Sequence, residues 1–545
     1  MKQKLLLFFF LTLLAGRGYS QCYENDEPKV LLVGDSWAWF MLVDSTFSQV
    51  FDRWGMSNYT FSSNATIAEN GAETDDFQKA DKQAEIINQL NANPSIKAIH
   101  LSIGGNDFLG DWNVSLSQGA VDTLVRAVAD RLDSVVRFLK STKPDIKIML
   151  SGYVYPNFEE VIHDAGALST NHPFYGTWSG MGFPTFAQIN GLLNMESDSL
   201  EIYANKDPQV EYVKATGLMQ YLHGQTSPLG VPPGGTYPPF TVPMPFGDST
   251  YPSPKTMMRD YGIFKDCFHL SPAGYRDLIG YQFQKFYHKF MMDDLYLLSE
   301  NNTQTGTVSS AGATNSTLSL GESSGEQFAS VLSFNTTTMA DTTLAKASIF
   351  LCRQSLTGSN PLTGPLQVKV KNGSFGATVD VEAADFSATG DATDAPCQFG
   401  RNDNDGYWIR LDLPTSILHH ITNAAPTQFV VSAPGFTGGK VDFKNSSDPE
   451  FAPVLNLKYG EYPSGIKETE NKQFSIYPNP TSGLLNIVAG NELITQVEIS
   501  NLMGQVVLQP TYNNGSINIQ ALSSGMYLLN ITTKTGKTSQ RFVKE

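Results

Sequence analysis

The chain has 545 residues, and 37 basic against 53 acidic side chains leave a formal net charge of −16. That acidic balance argues against nucleic acid or an anionic membrane as a partner. Apolar residues make up 41%, and the length exceeds one ordinary domain, so about two to four packed globular domains are expected.

The first 20 residues read as an export signal. Lys2 and Lys4 give a basic start, Leu5–Leu14 is an apolar run too short to span a bilayer comfortably, and the segment ending at Ser20 suits cleavage. The alternative is an anchor that stays attached. Four cysteines are too few for a disulfide scaffold. Cys352 and Cys397 fall in one later domain and could pair; Cys22 and Cys267 are expected as single thiols, Cys267 as a small packing residue.

Residues 29–297 alternate strand and helix. Lys29–Val33 is a buried strand that ends in Gly34-Asp35-Ser36. Glu73–Leu90 has helical spacing. Ile96–Ile103 is a second strand, closing on Gly104-Gly105-Asn106-Asp107. Val121–Leu139 is an amphipathic helix, Ile146–Leu150 a third strand and Val210–Val213 a fourth. Residues 224–258 are proline-rich, a long loop that either shapes access to a site or is an idle excursion. Ser271-Pro272 opens a last helix, with serine as cap and proline in the first turn. This alternation predicts a parallel sheet covered on both faces, with sites at the carboxyl ends of its strands.

Residues 298–322 are rich in Ser, Thr, Asn and Gly and read as a linker. Residues 323–460 hold short alternating segments, such as Leu366–Val370 and Tyr407–Leu411, which predict a β-sandwich. Within it, Asn402–Gly406 alternates oxygen ligands in a way that could suit calcium, but lacks the downstream acid of a complete loop; an acidic turn is the other reading. A second linker covers 461–472, and a small β-rich domain covers 473–545.

The chemistry concentrates in four short blocks. Ser36 stands at a strand-to-helix turn, where a serine is either an activated nucleophile or a helix cap. Gly71, in Asn70-Gly71-Ala72, could point its N–H into a site or be a turn glycine. Asn106 follows two glycines that allow close backbone approach, and its amide could donate to a developing oxyanion. Asp266-Cys267-Phe268-His269 brings a carboxylate and an imidazole together, the imidazole as general base and acid. His100 lies within a strand and is expected in the interior. Trp37, Trp39, Phe40 and Phe108 lie near these blocks, either lining a pocket or packing the core.

Taken in order, the four blocks resemble those of the SGNH (GDSL-like) hydrolases, over residues 29–297. The resemblance implies a flavodoxin-like three-layer α/β/α domain. It implies Ser36 as nucleophile, His269 as its base, Asp266 behind it, and an oxyanion hole from Ser36 N–H, Gly71 N–H and Asn106. Trp37 replaces the leucine of the family's name. No cofactor or metal is implied. The sandwich, through Ala329–Phe334 and Ala345–Leu351, is similar to secreted DNRLRE or carbohydrate-binding-like modules. Residues 473–545, with Tyr477-Pro478-Asn479-Pro480, Asn501-Leu502-Met503-Gly504 and Ser524-Gly525-Met526-Tyr527, resemble the type IX secretion C-terminal sorting domain. That implies passage through the type IX machinery, then release or attachment at the cell surface.

The expected protein is a secreted serine esterase with a three-layer α/β/α domain and two C-terminal β-sandwich domains. Its substrate is a small-molecule or polysaccharide ester, with acetylated polysaccharide favoured by the glycan-module resemblance. A lipid-like ester is the alternative, and a non-catalytic glycan-binding surface protein is the rival.

Overall fold

The computed structural model describes residues 26–460, 475–488, 494–501, 505–513, 515–533 and 537–545. The export signal, Cys22 and the 461–472 linker lie outside them. The described residues fall into two compact units, divided after Gly460.

The first unit begins with a five-stranded parallel sheet. Its strands are β1 (Glu27–Gly34), β2 (Tyr59–Ser62), β3 (Ala98–Ser102), β4 (Lys147–Leu150) and β5 (Val210–Tyr212), in the order β2-β1-β3-β4-β5. That order is the flavodoxin-like winding, which reverses direction between β1 and β3 and leaves a crevice at their carboxyl ends. Side chains alternate across β1. Val30 and Leu32 pack on one face against α1 (Ser36–Val43), α2 (Thr46–Arg53) and the C-terminal helix Pro272–Gln282. Leu31 and Val33 pack on the other, against α3 (Ala80–Ala92) and the long helix Gln118–Thr142. His100 on β3 is fully buried beside Phe47, and burial pushes its pKa down to about 3.

The expected helix over Glu73–Leu90 is broken. Thr74–Gln78 is a 3-10 turn, and α3 starts only at Ala80. The break follows from a tertiary bond. Thr74 N–H and hydroxyl both donate to Asp107, at 3.0 and 2.6 Å, which fixes the turn independently of the helix after it.

Residues 298–322 are not a linker. Gly306–Ser309 and Leu318–Ser323 are strands of the antiparallel sandwich, with Val308, Leu318 and Leu320 fully buried. Their polar composition misled because the apolar positions alternate with Ser and Thr that satisfy one another: Ser330 donates to Ser319 O, and Thr307 Oγ1 accepts from Ser319 N–H. Leu295–Leu298 pairs with Val454–Tyr459, so the sandwich begins where the hydrolase region ends.

Cys352 is a free, buried thiol and does not pair with Cys397. The strand register forbids it. Cys352 faces Trp408, whereas Cys397 faces Asp412 on the same strand, four residues away. At roughly 3.3 Å per residue that offset is about 13 Å, beyond disulfide reach. The Asn402–Gly406 turn is occupied by guanidinium groups. Arg353 Nε donates to Asp405 at 2.8 Å and its Nη1 to Asn402 O, while Arg401 pairs with Asp403. It is an acidic turn.

The sandwich is fused to the hydrolase region through an aromatic plug. Trp54 and Trp408 stack at 5.6 Å and 18°, and His288 lies 4.6 Å from Trp408 and 4.9 Å from Trp54. Arg410 donates to Asn58 Oδ1 at 2.8 Å beside it. The second unit packs a three-stranded and a four-stranded sheet around Leu485, Ile499, Ile517, Leu529 and Phe542.

Trp408→Ala should cost about 3–5 kcal/mol of stability, since a large side chain is removed from a packed site. Urea unfolding followed by two probes, one in the hydrolase region and one in the sandwich, should then separate into two transitions where the native protein shows one for this unit.

Candidate active site

Ser36 is the first residue of α1, at the carboxyl end of β1. Gly34 lies against Ser102 of β3, and any Cβ there would collide with the Ser102 carbonyl. Its φ of +150° is also one that L side chains rarely adopt. Asp35 caps α1, its carboxylate accepting from Trp37 N–H at 2.9 Å. This local chemistry turns Ser36 out at the crevice.

A hairpin outside the parallel sheet supplies the partner. It consists of β6 (Met258–Tyr261) and β7 (Phe264–Leu270). His269 Nε2 lies 2.7 Å from Ser36 Oγ, and His269 Nδ1 lies 2.8 Å from Asp266 Oδ2. Asp266 Oδ1 accepts from the backbone N–H of Phe268 and His269, at 2.9 and 2.8 Å. The carboxylate is thus locked before it meets the ring. All three side chains are buried. Phe40 packs edge-on to the imidazole at 4.7 Å, with the Arg259 guanidinium 4.1 Å behind Phe40. With Nδ1–H donated to Asp266, Nε2 is free to accept the serine proton.

Asn106 sits in the first turn of α4 (Gly105–Asp111), after β3. Its amide donates to Ala72 O at 2.9 Å, which orients it and leaves a second N–H. Gly71 has φ +84° on the exposed turn that runs beside Gly34, through Gly34 N–H to Ile67 O and Glu69 N–H to Gly34 O. Among the described residues its N–H has no partner. Ser36 N–H, at the start of a helix, has no acceptor inside it.

Ser36 and Asn106 line one cavity. Its walls are apolar, built from Trp37, Phe108, Phe158, Met181, Leu192 and Phe268 among others. So Trp37 and Phe108 line it; Trp39 does not, and Phe40 backs His269. No residue of the 224–258 loop lines it. That loop is pinned elsewhere, by Gln220 and Asn190 donating to Tyr251 O at 2.7 and 2.8 Å. Cys267 is a buried packing residue, its thiol pushed up by burial. No His, Cys, Asp or Glu cluster suited to a metal occurs among the described residues.

Several polar residues around the site escaped sequence reasoning. Tyr153, just past β4, donates its hydroxyl hydrogen to Asp35 Oδ2 at 2.6 Å. Asp107 is held by Thr74 and by Arg131 at 2.7 Å. Glu196, on the helix Phe186–Ala204, is buried behind Gly104. Burial pushes Glu196 up to about 8, with Asp35 and Asp107 adding repulsion, and pushes Asp35 up to about 7 against the hydrogen bond from Tyr153. The only signal in the sequence was position, since all lie at or behind carboxyl ends of strands.

Residues 30–279 match the family model of GDSL-like lipases/acylhydrolases, and residues 475–545 match that of secretion system C-terminal sorting domains. None of the curated proteins matches the chain. Similar solved structures include the lipopolysaccharide acetyltransferase periplasmic domain of Salmonella ser. Paratyphi A, at 17% identity, covering 50% of this chain and 86% of that one, with a TM-score of 0.27. A GDSL-like lipase from Bacteroides thetaiotaomicron is 14% identical, with 48% and 88% covered and a TM-score of 0.26. A carbohydrate esterase family 3 protein from Talaromyces cellulolyticus is 13% identical, with 48% and 99% covered and a TM-score of 0.23. Residues 30–279 form a GDSL-like hydrolase domain that acts on esters, and the tail is a type IX sorting domain that directs export to the cell surface or beyond. No described helix is long and apolar enough to cross a membrane.

The two raised carboxyls have a consequence for stability. Between the ordinary carboxylate range and about pH 8 the folded state holds protons that the unfolded chain has released. Their contribution therefore falls as pH rises through that window. Glu196→Gln should gain thermal stability over the native protein progressively from pH 5 to pH 8.5. Parallel melting-temperature curves for the two would rule out a buried, protonated Glu196.

Proposed function

We propose that the domain hydrolyses carboxylic esters through an acyl-enzyme on Ser36. His269 Nε2 takes the Ser36 proton as Oγ attacks the ester carbonyl. Asp266 keeps Nδ1 protonated and stabilises the imidazolium. The tetrahedral oxyanion faces Ser36 N–H, Gly71 N–H and the Asn106 amide. His269 then protonates the leaving alcohol. A water, deprotonated by the same nitrogen, releases the acid. The observation that carries this reading is the unbroken chain Ser36 Oγ, His269 Nε2, His269 Nδ1, Asp266 Oδ2, at 2.7 and 2.8 Å.

Two features bear on the substrate. Acetylated polysaccharide fits the glycan-module resemblance of the sandwich. The apolar walls beside Ser36 favour the second reading, a lipid-like ester whose acyl group has several carbons, because each buried methylene contributes about 0.8 kcal/mol.

Turnover of p-nitrophenyl esters by the full chain should fall at least ~1,000-fold in Ser36→Ala, and by a comparable factor in Asp266→Asn, which disturbs the tautomer of the base. Native rates on p-nitrophenyl acetate retained by Ser36→Ala would defeat the mechanism. Across acetate, butyrate and octanoate, kcat/KM should rise with chain length. A maximum on acetate, matched by acetate release from acetylated xylan, would instead favour the deacetylase reading.

A further inference from the structure

Two helix N-termini meet at this site. α1 carries Ser36 and α4 carries Asn106, and each leaves first-turn N–H groups without intrahelical partners. At their bases the two turns are joined by backbone, through Asp35 N–H to Ser102 O at 2.9 Å. At their tips they are joined by one side chain. The Tyr153 hydroxyl accepts from Gly105 N–H at 2.8 Å and spends its own hydrogen on Asp35 Oδ2 at 2.6 Å. Asp35 passes the link on through its other oxygen to Trp37 N–H. A single buried oxygen thus caps α4 directly and α1 through Asp35.

The ring is held as firmly as the hydroxyl. It meets Trp37 edge-on at 5.0 Å, and a Cβ at position 105 would stand 2.8 Å from its Cζ. Glycine at 105 is therefore what lets the ring reach Asp35. Tyr153 comes from beyond β4, two strands from β1, so the bridge spans β3 and ties elements far apart in sequence.

We propose that Tyr153 is a positioning residue that fixes the spacing between the Ser36 nucleophile and the Asn106 oxyanion donor. The inference rests on the roles given to Ser36 and Asn106 above. The Tyr153 ring also lines the apolar cavity, so the hydroxyl, not the ring, is the part assigned to the transition state, through its hold on the turn that carries Asn106.

The test is a double-mutant cycle on the full chain with p-nitrophenyl butyrate. Tyr153→Phe keeps the ring and deletes the bridge. It should lower kcat by roughly 10- to 100-fold with KM within about twofold, the signature of a loss confined to the transition state. Asn106→Ala should cost on the order of 100-fold. The double variant should be close to Asn106→Ala alone, because the bridge has nothing left to position. Losses that multiply, or a raised KM with kcat held, overturn the proposal. If Tyr153→Phe does not fold, Gly105→Ala, whose Cβ displaces the ring and with it the bridge, should lower kcat by a similar factor, and an unchanged kcat overturns it. Native turnover by Ser36→Ala would mean that the nucleophile assignment itself has failed. That differs from a Ser36-dependent enzyme in which Tyr153→Phe is silent.

Discussion

The site depends on how closely β1 and β3 approach at Gly34. Parallel strands at the reversal of a doubly wound sheet diverge in their connections, and the crevice between them is where reactive groups can be set side by side. Here the crevice is narrow because position 34 has no side chain to hold Ser102 away. Ser36 and Asn106 come from turns that begin within a few residues of that contact. A methyl group at Gly34 would move both turns together, so this one position controls the placement of Ser36 and Asn106 at once.

The His269–Asp266 pair arrives by a different route. Asp266 and His269 belong to a two-stranded hairpin that shares no hydrogen-bonded edge with the parallel sheet. Its placement relies on packing, with Phe40 and Arg259 behind the imidazole and Asp44 pairing with Arg259. The internal order of the pair is set locally, by two backbone N–H groups that fix the Asp266 carboxylate. Rigid local geometry mounted on a packed hairpin brings His269 within hydrogen-bond distance of Ser36 without any sheet connection between them.

The strands and the four chemical blocks were legible in the sequence because they are local. Lys29–Val33 and Ile96–Ile103 are apolar runs that end in glycine turns, and Ser271-Pro272 is a cap that needs no tertiary context. What escaped was set by distant partners. The break before α3 comes from Thr74 bonding Asp107, and the strands within 298–322 are polar runs that become buried only when Ser319, Ser330 and Thr307 find one another. Cys352 and Cys397 sit in one domain, yet register holds them apart. Tyr153 and Glu196 carry no motif, and their importance lies wholly in what they touch.

The stacked tryptophans between the hydrolase region and the sandwich decide how freely the two can move past one another. A module on a flexible tether lets a catalytic centre sweep a sphere around its point of attachment. Trp54, Trp408 and the His288 between them allow no such sweep. Anything that holds the sandwich also fixes the bearing and distance of Ser36, which would then reach only a narrow arc around each point of contact. Advancing along a surface would then require the whole unit to let go and bind again.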